Sequence, residues 1–365
     1  MYSYINTLDF LFDHTKSYSY DNKPQMQESC IMKKRFLVAA VAATLISPLA
    51  AQADATVYGN VHLSIDSVDD GSVGAADGLQ MNSRTSSIGV KGKEDLGGGM
   101  TALFKVEFQV DIDDRNTGDA KASLTDRDQW VGLKGAMGTV KFGTMSSNYK
   151  QMGGKVDPLY RTGVEGRASG MQSALHGGAG IGGGRMTDTL QYTSPKMGGV
   201  QVVFNTTFTA ADGNADETIG LGVRYKTKTI LAFFDYIDMD TDFVAGNPLA
   251  TTSGTESAMK IGGTYKMDTL TLGLQHELTA DLLGEDTTFF SAAYGLNDND
   301  TVAFTFATAS QDVATGNDGD GFSIAYDHKM SKRTNTYVAY GSTDMLGSAT
   351  SDNTDVISLG LRHKF

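Results

Sequence analysis

The sequence predicts an all-β protein, a sixteen-stranded antiparallel β-barrel that spans a membrane. Polar and apolar residues alternate through almost every segment after residue 54, which is typical of strands with two different faces. The connections between these segments alternate between short and long. The last strand, 355–365, has Ile357, Leu359, Leu361 and Phe365 on one face, and that apolar face needs lipid when the other face is wet.

The amino-terminal part of the chain predicts export. Met32-Lys33-Lys34-Arg35 is a basic stretch, residues 36–46 are apolar, and Ala51-Gln52-Ala53 is a small-residue cleavage signature. A membrane anchor is the alternative, but the apolar run is short and is followed by Pro48. We therefore divide the chain into an over-called upstream segment at 1–31, a secretory signal peptide at 32–53 and a barrel at 54–365.

Composition excludes several classes of function. The net charge of −13 without basic clusters argues against a nucleic-acid binder. The single cysteine, Cys30, lies before the predicted cleavage point, so the mature protein has no disulfide and no thiol nucleophile. No cofactor and no metal site is predicted.

Sixteen strands follow in order along the mature chain. Residues 56–66 form the first, and Phe104, Val106 and Phe108 alternate with Lys105, Glu107 and Gln109 in the third. The remaining strands are predicted at 86–94, 127–135, 139–147, 188–194, 199–209, 218–226, 229–237, 258–266, 269–278, 287–296, 301–308, 321–328, 334–341 and 355–365.

The connections support a barrel in preference to a soluble fold. Tight turns such as 136–138 and 267–268 alternate with long connections rich in Asp, Gly, Asn, Ser and Thr, at 69–81, 311–320 and 343–354. That alternation is the topology of a bacterial barrel with short periplasmic turns and long external loops. A β-sandwich or jelly roll of equal strand count is the soluble alternative, and it would require apolar inner faces and polar outer faces.

Motifs in sequence order resemble the general Gram-negative trimeric porins over the whole mature chain. They are Tyr58-Gly59-Asn60-Val61, the run from Ser87 to Gly99, Gln129-Trp130-Val131-Gly132-Leu133-Lys134-Gly135, Leu190-Gln191-Tyr192-Thr193-Ser194-Pro195 and Leu361-Arg362-His363-Lys364-Phe365. The resemblance implies a passive diffusion pore for small hydrophilic solutes and ions in the outer membrane, built as a homotrimer. It also implies contacts with outer-membrane lipid and lipopolysaccharide.

The resemblance further implies that the third external loop, about 148–186, folds into the barrel and narrows its pore. The expected constriction residues are Arg127, Lys155, Asp157, Arg161, Glu165, Arg167 and Arg185. The expected pore-wall residues are Lys91, Lys105 and Glu107. Phe365 is the aromatic carboxy-terminus that the barrel-assembly machinery reads in this family. Two departures from the family pattern, Ser87 and Thr144 at positions that often carry arginine, thin the basic wall of the pore.

Two alternative functions remain at this point. The same barrel could carry a saturable site for one solute class, and the sequence does not separate that from general diffusion. A barrel enzyme is the other alternative, but His62 and His328 have no recognisable catalytic partner motif. Gly178-Ala179-Gly180-Ile181-Gly182-Gly183 matches a dinucleotide-binding spacing without the strand and helix that this motif requires.

We expect the mature protein to begin at Asp54, because Ala51-Gln52-Ala53 is the small-residue signature that follows the apolar run. Amino-terminal sequencing of protein isolated from outer membranes checks this. A mature protein that begins before Met32 would contradict the predicted processing.

Overall fold

The structure is a computed structural model that describes residues 54–69, 78–113, 124–177, 184–208, 218–239, 257–311, 318–344 and 353–365. The leader predicted at 1–53, the glycine run at 178–183 and parts of the predicted long connections lie outside the described residues.

Strands make up most of the described chain. They are β1 (Asp54–Asp69), β2 (Gly78–Ser83), β3 (Ser87–Gly97), β4 (Met100–Val110), β5 (Leu124–Gly135), β6 (Gly138–Ser146), β7 (Arg185–Thr193), β8 (Val200–Thr207), β9 (Ile219–Lys226), β10 (Ile230–Asp238), β11 (Ser257–Met267), β12 (Leu270–Leu278), β13 (Glu285–Gly295), β14 (Asp300–Gln311), β15 (Gly319–Lys329), β16 (Thr334–Thr343) and β17 (Thr354–Lys364).

These strands form one closed antiparallel sheet. Successive strands from β3 to β17 pair with one another, and β1 closes the ring by pairing with β17 on one side and with β2 and β3 on the other. Since β2 and β3 pair with successive halves of β1, they share one position in the wall. The barrel therefore has sixteen wall positions, which confirms the predicted count.

The second wall strand is longer than predicted and is interrupted. The sequence predicts a connection at 69–81, but the strand already begins at Gly78. It is interrupted between Ser83, the last residue of β2, and Ser87, the first of β3. Thr85 has a φ of 58°, a left-handed conformation that a non-glycine residue rarely adopts in a strand. The break lets the Ser86 hydroxyl accept a hydrogen bond from the His62 backbone N–H at 2.9 Å.

The two faces of the sheet are the reverse of those in a soluble protein. In β17, Ile357, Leu359 and Leu361 are each more than half exposed, whereas Ser358 is completely buried. In β1 the polar residues His62, Ser64 and Asp66 are buried in the same way. An exposed apolar face and a buried polar face suit lipid outside and water inside, so the soluble sandwich is wrong.

The connection between β6 and β7 packs against the buried polar face. Its described part, residues 147–177 (the loop segment), contains a helix, Asn148–Val156, and a short 3-10 helix, Ala174–His176. The Ser147 hydroxyl caps the first helix by accepting the Lys150 N–H at 3.1 Å. The Ser147 backbone N–H reaches the Gly184 carbonyl at 3.1 Å, which joins the two ends of the connection.

Small apolar clusters fix the loop segment to the strands. Tyr149 and Leu175 pack with Ile237, and Met152 and Val156 pack with Phe289. Further along, Leu159 and Val164 pack against Tyr337 and three alanines of β14, β15 and β16. None of the helices in the described residues is long and apolar enough to cross a membrane.

The first and last strands of the barrel meet at a seam where Gly59 contacts Phe365 closely. Gly59 and Phe365 exchange two backbone hydrogen bonds of 3.1 Å. A Cβ atom on Gly59 would lie 2.1 Å from the Phe365 ring, so the ring occupies the space that a side chain would need. A larger residue at position 59 would therefore displace the Phe365 ring from the seam.

Candidate functional site

A buried carboxylate of the wall holds the loop segment. Glu277, on the polar face of β12, is fully buried and accepts hydrogen bonds from the Tyr149 hydroxyl at 2.9 Å and from the Ser173 backbone N–H at 3.1 Å. The His176 ring nitrogen Nε2 lies 3.1 Å from the same carboxylate. Both helical parts of the loop segment are thus attached to one side chain, which restricts their movement.

Other wall residues hold the loop segment at several points along its length. The Asn148 side chain donates to Asp235 at 3.0 Å, and the Arg224 guanidinium donates to the Asn148 carbonyl at 3.2 Å. The Ser291 and Ser323 hydroxyls donate to the carbonyls of Val156 and Val164 at 2.5 and 3.1 Å. The wall therefore binds both the backbone carbonyls and the side chains of the loop segment.

Ion pairs connect charged residues on β4, β5 and β7 into one group, which we call the wall cluster. Arg127 pairs with Glu107 at 2.6 Å and Arg185 pairs with Asp128 at 3.0 Å. Lys105 lies between them, 3.1 Å from Glu107 and 3.0 Å from Asp128. The wall cluster therefore contains three cations and two carboxylates.

A β-bulge makes the wall cluster possible. The register of β4 and β5 shifts between Val106 and Phe108, so that Arg127 and Asp128 both lie opposite Glu107. Strict alternation would send these consecutive side chains to opposite faces of the sheet. The extra residue lets both face the polar side.

The wall cluster and the loop segment meet at Lys150. Burial, followed by the positive charges of Arg167, Arg185 and Arg127, lowers the pKa of Lys150 to about 6. Its side-chain nitrogen Nζ donates to the His176 carbonyl at 2.9 Å. The charges of three predicted constriction residues thus act on a buried lysine that sequence reasoning missed.

The loop carboxylates, Asp157 and Glu165, bind the loop's own residues. Asp157 accepts backbone N–H groups of Leu159 and Gly166 at 2.7 and 2.9 Å, and burial raises its pKa to about 7. Glu165 pairs with Arg167 at 2.8 Å. Among the described residues, no ion pair joins either carboxylate to Arg127 or Arg185.

The remaining predicted residues are dispersed. Arg161 lies near the carboxy-terminal strand and stacks over the Tyr160 ring at 5.5 Å. Lys91 stacks over Tyr58 at 4.8 Å, whereas Lys155 is exposed on the helix of the loop segment. Lys105 and Glu107, the other predicted pore-wall residues, lie on β4 and belong to the wall cluster.

Several charged residues of the polar face were missed from sequence. Arg224 and Lys260 alternate with exposed apolar neighbours, so period-two counting could have found them. Arg84 forms an ion pair with buried Asp66 and supplies a wall arginine three positions before Ser87. Lys150 gave no such signal, because it lies in a connection. Among the described residues, no group of three His, Cys, Asp or Glu side chains could hold a metal ion.

Comparisons with known proteins agree with this architecture. The family model described as Gram-negative porin matches residues 38–347. An outer membrane porin protein of Bordetella pertussis is 24% identical over 405 residues, which cover 92% of this chain and all of that protein. The major outer membrane protein P.IB of Neisseria gonorrhoeae is 29% identical over 208 residues, which cover 54% of this chain. The chain spans 55% of the length of that neisserial relative.

A solved structure shows the same fold. The anion-selective porin from Comamonas acidovorans superimposes with a TM-score of 0.67 at 20% identity, covering 86% of this chain and all of that one. Because the family model matches most of the chain, including every strand from β1 to β16, the protein belongs to the Gram-negative porins.

Proposed function

We propose that this protein forms a water-filled channel through the outer membrane for passive diffusion of small hydrophilic solutes and ions, narrowed by the loop segment. The observation that carries this proposal is the closed sheet whose apolar face is exposed and whose buried polar face binds an internal connection. Proteins of this family are channels and not enzymes, and passage through such a pore requires no bond to be made or broken.

Charges at the narrowest point of the channel determine which ions and solutes pass most readily. Exposed charges are screened beyond a Debye length of about 8 Å at physiological salt, so the wall cluster and the loop segment outweigh the negative net charge of the whole chain. Arg127, Arg167 and Arg185 form the positive side of this constriction, and together with burial they hold the pKa of Lys150 at about 6, so that this amine adds little charge at neutral pH. Asp157 and Glu165 form its negative side, and dipolar solutes orient between the two.

Partners follow from the family resemblance and the exposed surface. The apolar outer face contacts outer-membrane lipid and lipopolysaccharide, and copies of the chain assemble as a homotrimer. The barrel-assembly machinery recognises the terminal strand through Phe365. The seam supports this role, because the Phe365 ring lies against Gly59 at the last hydrogen bonds that close the barrel.

Deleting residues 163–183 should raise single-channel conductance in planar bilayers, since a segment inside the pore obstructs flow and the described part of this one, residues 163–177, contributes no strand to the wall. A deletion of residues 241–254, in another long connection, is the control and should leave conductance near the wild-type value. Unchanged conductance of a folded 163–183 deletion would place the segment outside the pore.

Replacing Arg127 and Arg185 together by Gln should shift permeability toward cations, because it removes two positive charges at the constriction and leaves Glu107 and Asp128 without those partners. The reversal potential in a salt gradient measures the shift. The double replacement Lys196→Gln with Lys228→Gln, at two exposed short turns, also removes two positive charges and is the matched control. An equal shift in the control would show that total charge governs selectivity.

Deleting Phe365 should reduce the yield of protein in the outer membrane far more than the heat resistance of oligomer refolded in detergent. Burial of one aromatic side chain contributes only about 1.5–3 kcal/mol, too little to open a closed sheet. Val57→Asp, which places a charge on the exposed apolar face of β1, controls for a general loss of membrane affinity. Equal losses in both assays would contradict recognition of the terminal residue.

A further inference from the structure

A cavity of about 160 Å³ lies between the loop segment and strands β14 to β17. Its charged lining residues are Asp327 and Arg362, and its aromatic ones are Tyr160 and Tyr337. The rest of the lining combines polar side chains, Thr162, Thr301 and Asn335, with apolar ones, Pro158, Leu159, Ala303 and Ala325. Asp327, Asn335 and Arg362 each lie within a few residues of a short turn or of the chain end. The cavity therefore opens on the short-turn side of the loop segment, apart from the wall cluster.

In this cavity the side-chain amide of Asn335 lies between two opposite charges, those of Arg362 and Asp327. Arg362 Nε donates to the Asn335 carbonyl oxygen at 3.0 Å, and the Asn335 amide nitrogen donates to Asp327. Among the described residues, no ion pair joins Arg362 directly to Asp327. The terminal guanidinium N–H groups and the second carboxylate oxygen consequently have no partner in the described part of the chain, and they are free to bind a solute.

The side of the cavity formed by the loop segment is held in a fixed shape. Arg161, next to Tyr160, has a φ of 74°, a conformation unfavourable for a non-glycine residue. The Glu165 carboxylate holds it there by accepting the Arg161 backbone N–H at 2.6 Å. The Asp157 carboxylate fixes the turn before it through the Leu159 N–H. Such pre-organisation lowers the entropy that binding costs.

Charge makes the Arg362 end of the cavity the stronger anion site. Arg161 lies close enough that its positive charge acts on both Arg362 and Lys364. A carboxylate would bind at that end, because a guanidinium presents two parallel N–H donors to it. Asp327 would repel a second negative charge and would attract an ammonium group.

We infer that this cavity is a binding subsite for small zwitterionic solutes of the α-amino-acid class, with the carboxylate on Arg362 and the ammonium on Asp327. Tyr160, Leu159 and Ala325 surround a short aliphatic side chain. The inference rests on the proposed channel function and gives it a solute class. It makes diffusion of these solutes saturable while other small solutes pass without binding.

Uptake into proteoliposomes of the full-length refolded protein tests the subsite. Labelled glycine should enter at a rate that saturates with concentration, and unlabelled alanine should compete. Acetate and methylammonium, each with half of the recognised groups, should compete at least about tenfold more weakly, since each lacks one charge-assisted hydrogen bond. Glycerol, which is similar in size and uncharged, should enter in proportion to its concentration.

The outcomes separate the subsite from the channel. If neither glycerol nor glycine enters, the proposed channel function is wrong. If glycerol enters and glycine entry stays linear with concentration, the channel function stands and the subsite is wrong. Acetate competing as strongly as alanine would mean a simple anion site and would also overturn the inference.

Single substitutions test whether Arg362 binds the carboxylate of the solute and Asp327 binds its ammonium group. Arg362→Gln should raise the half-saturating glycine concentration about tenfold or more. Asp327→Asn should do the same and should in addition improve competition by acetate, a change that a merely misfolded cavity would not produce. Asp298→Asn removes a carboxylate from an exposed short turn and should leave the glycine constant unchanged. Wild-type glycine kinetics in Arg362→Gln would contradict the assignment.

Discussion

The backbone of a membrane-spanning sheet has no water with which to form hydrogen bonds, and every other feature of this protein depends on that constraint. The sheet meets it by closing β1 onto both β17 and the interrupted second wall strand. Closure removes the free edges, so each strand can expose an apolar face to lipid. Closure also brings the first and last strands together, where Gly59 and Phe365 are in close contact.

Closure buries the polar face of the sheet, and the loop segment packs against residues of that face. Its attachments combine small apolar clusters with buried carboxylates, above all Glu277, which binds donors from both ends of the segment. Removing a partner of such a buried charge is costly, because the carboxylate would then be left without compensation. The loop segment thus has a defined position, and it forms one side of the cavity against strands β14 to β17.

Both regular strand alternation and local exceptions to it place charged side chains on the polar face of the sheet. Most polar-face residues follow period two, as Arg224 and Lys260 do on β9 and β11. The wall cluster needs the bulge at Arg127 and Asp128, which places two consecutive side chains beside Glu107. Local irregularity therefore concentrates charge where a regular sheet would spread it.

The sequence by itself determined the barrel, the strand count and most strand boundaries, because alternation is a local property and each strand carries its own pattern. It also indicated which residues of β4 and β17 lie on the polar face. Only the tertiary structure decided the ion pairs of Arg127 and Arg185, the position of Lys150 and the cavity between Arg362 and Asp327. These depend on register shifts and on contacts between residues far apart in the chain, which no local pattern encodes.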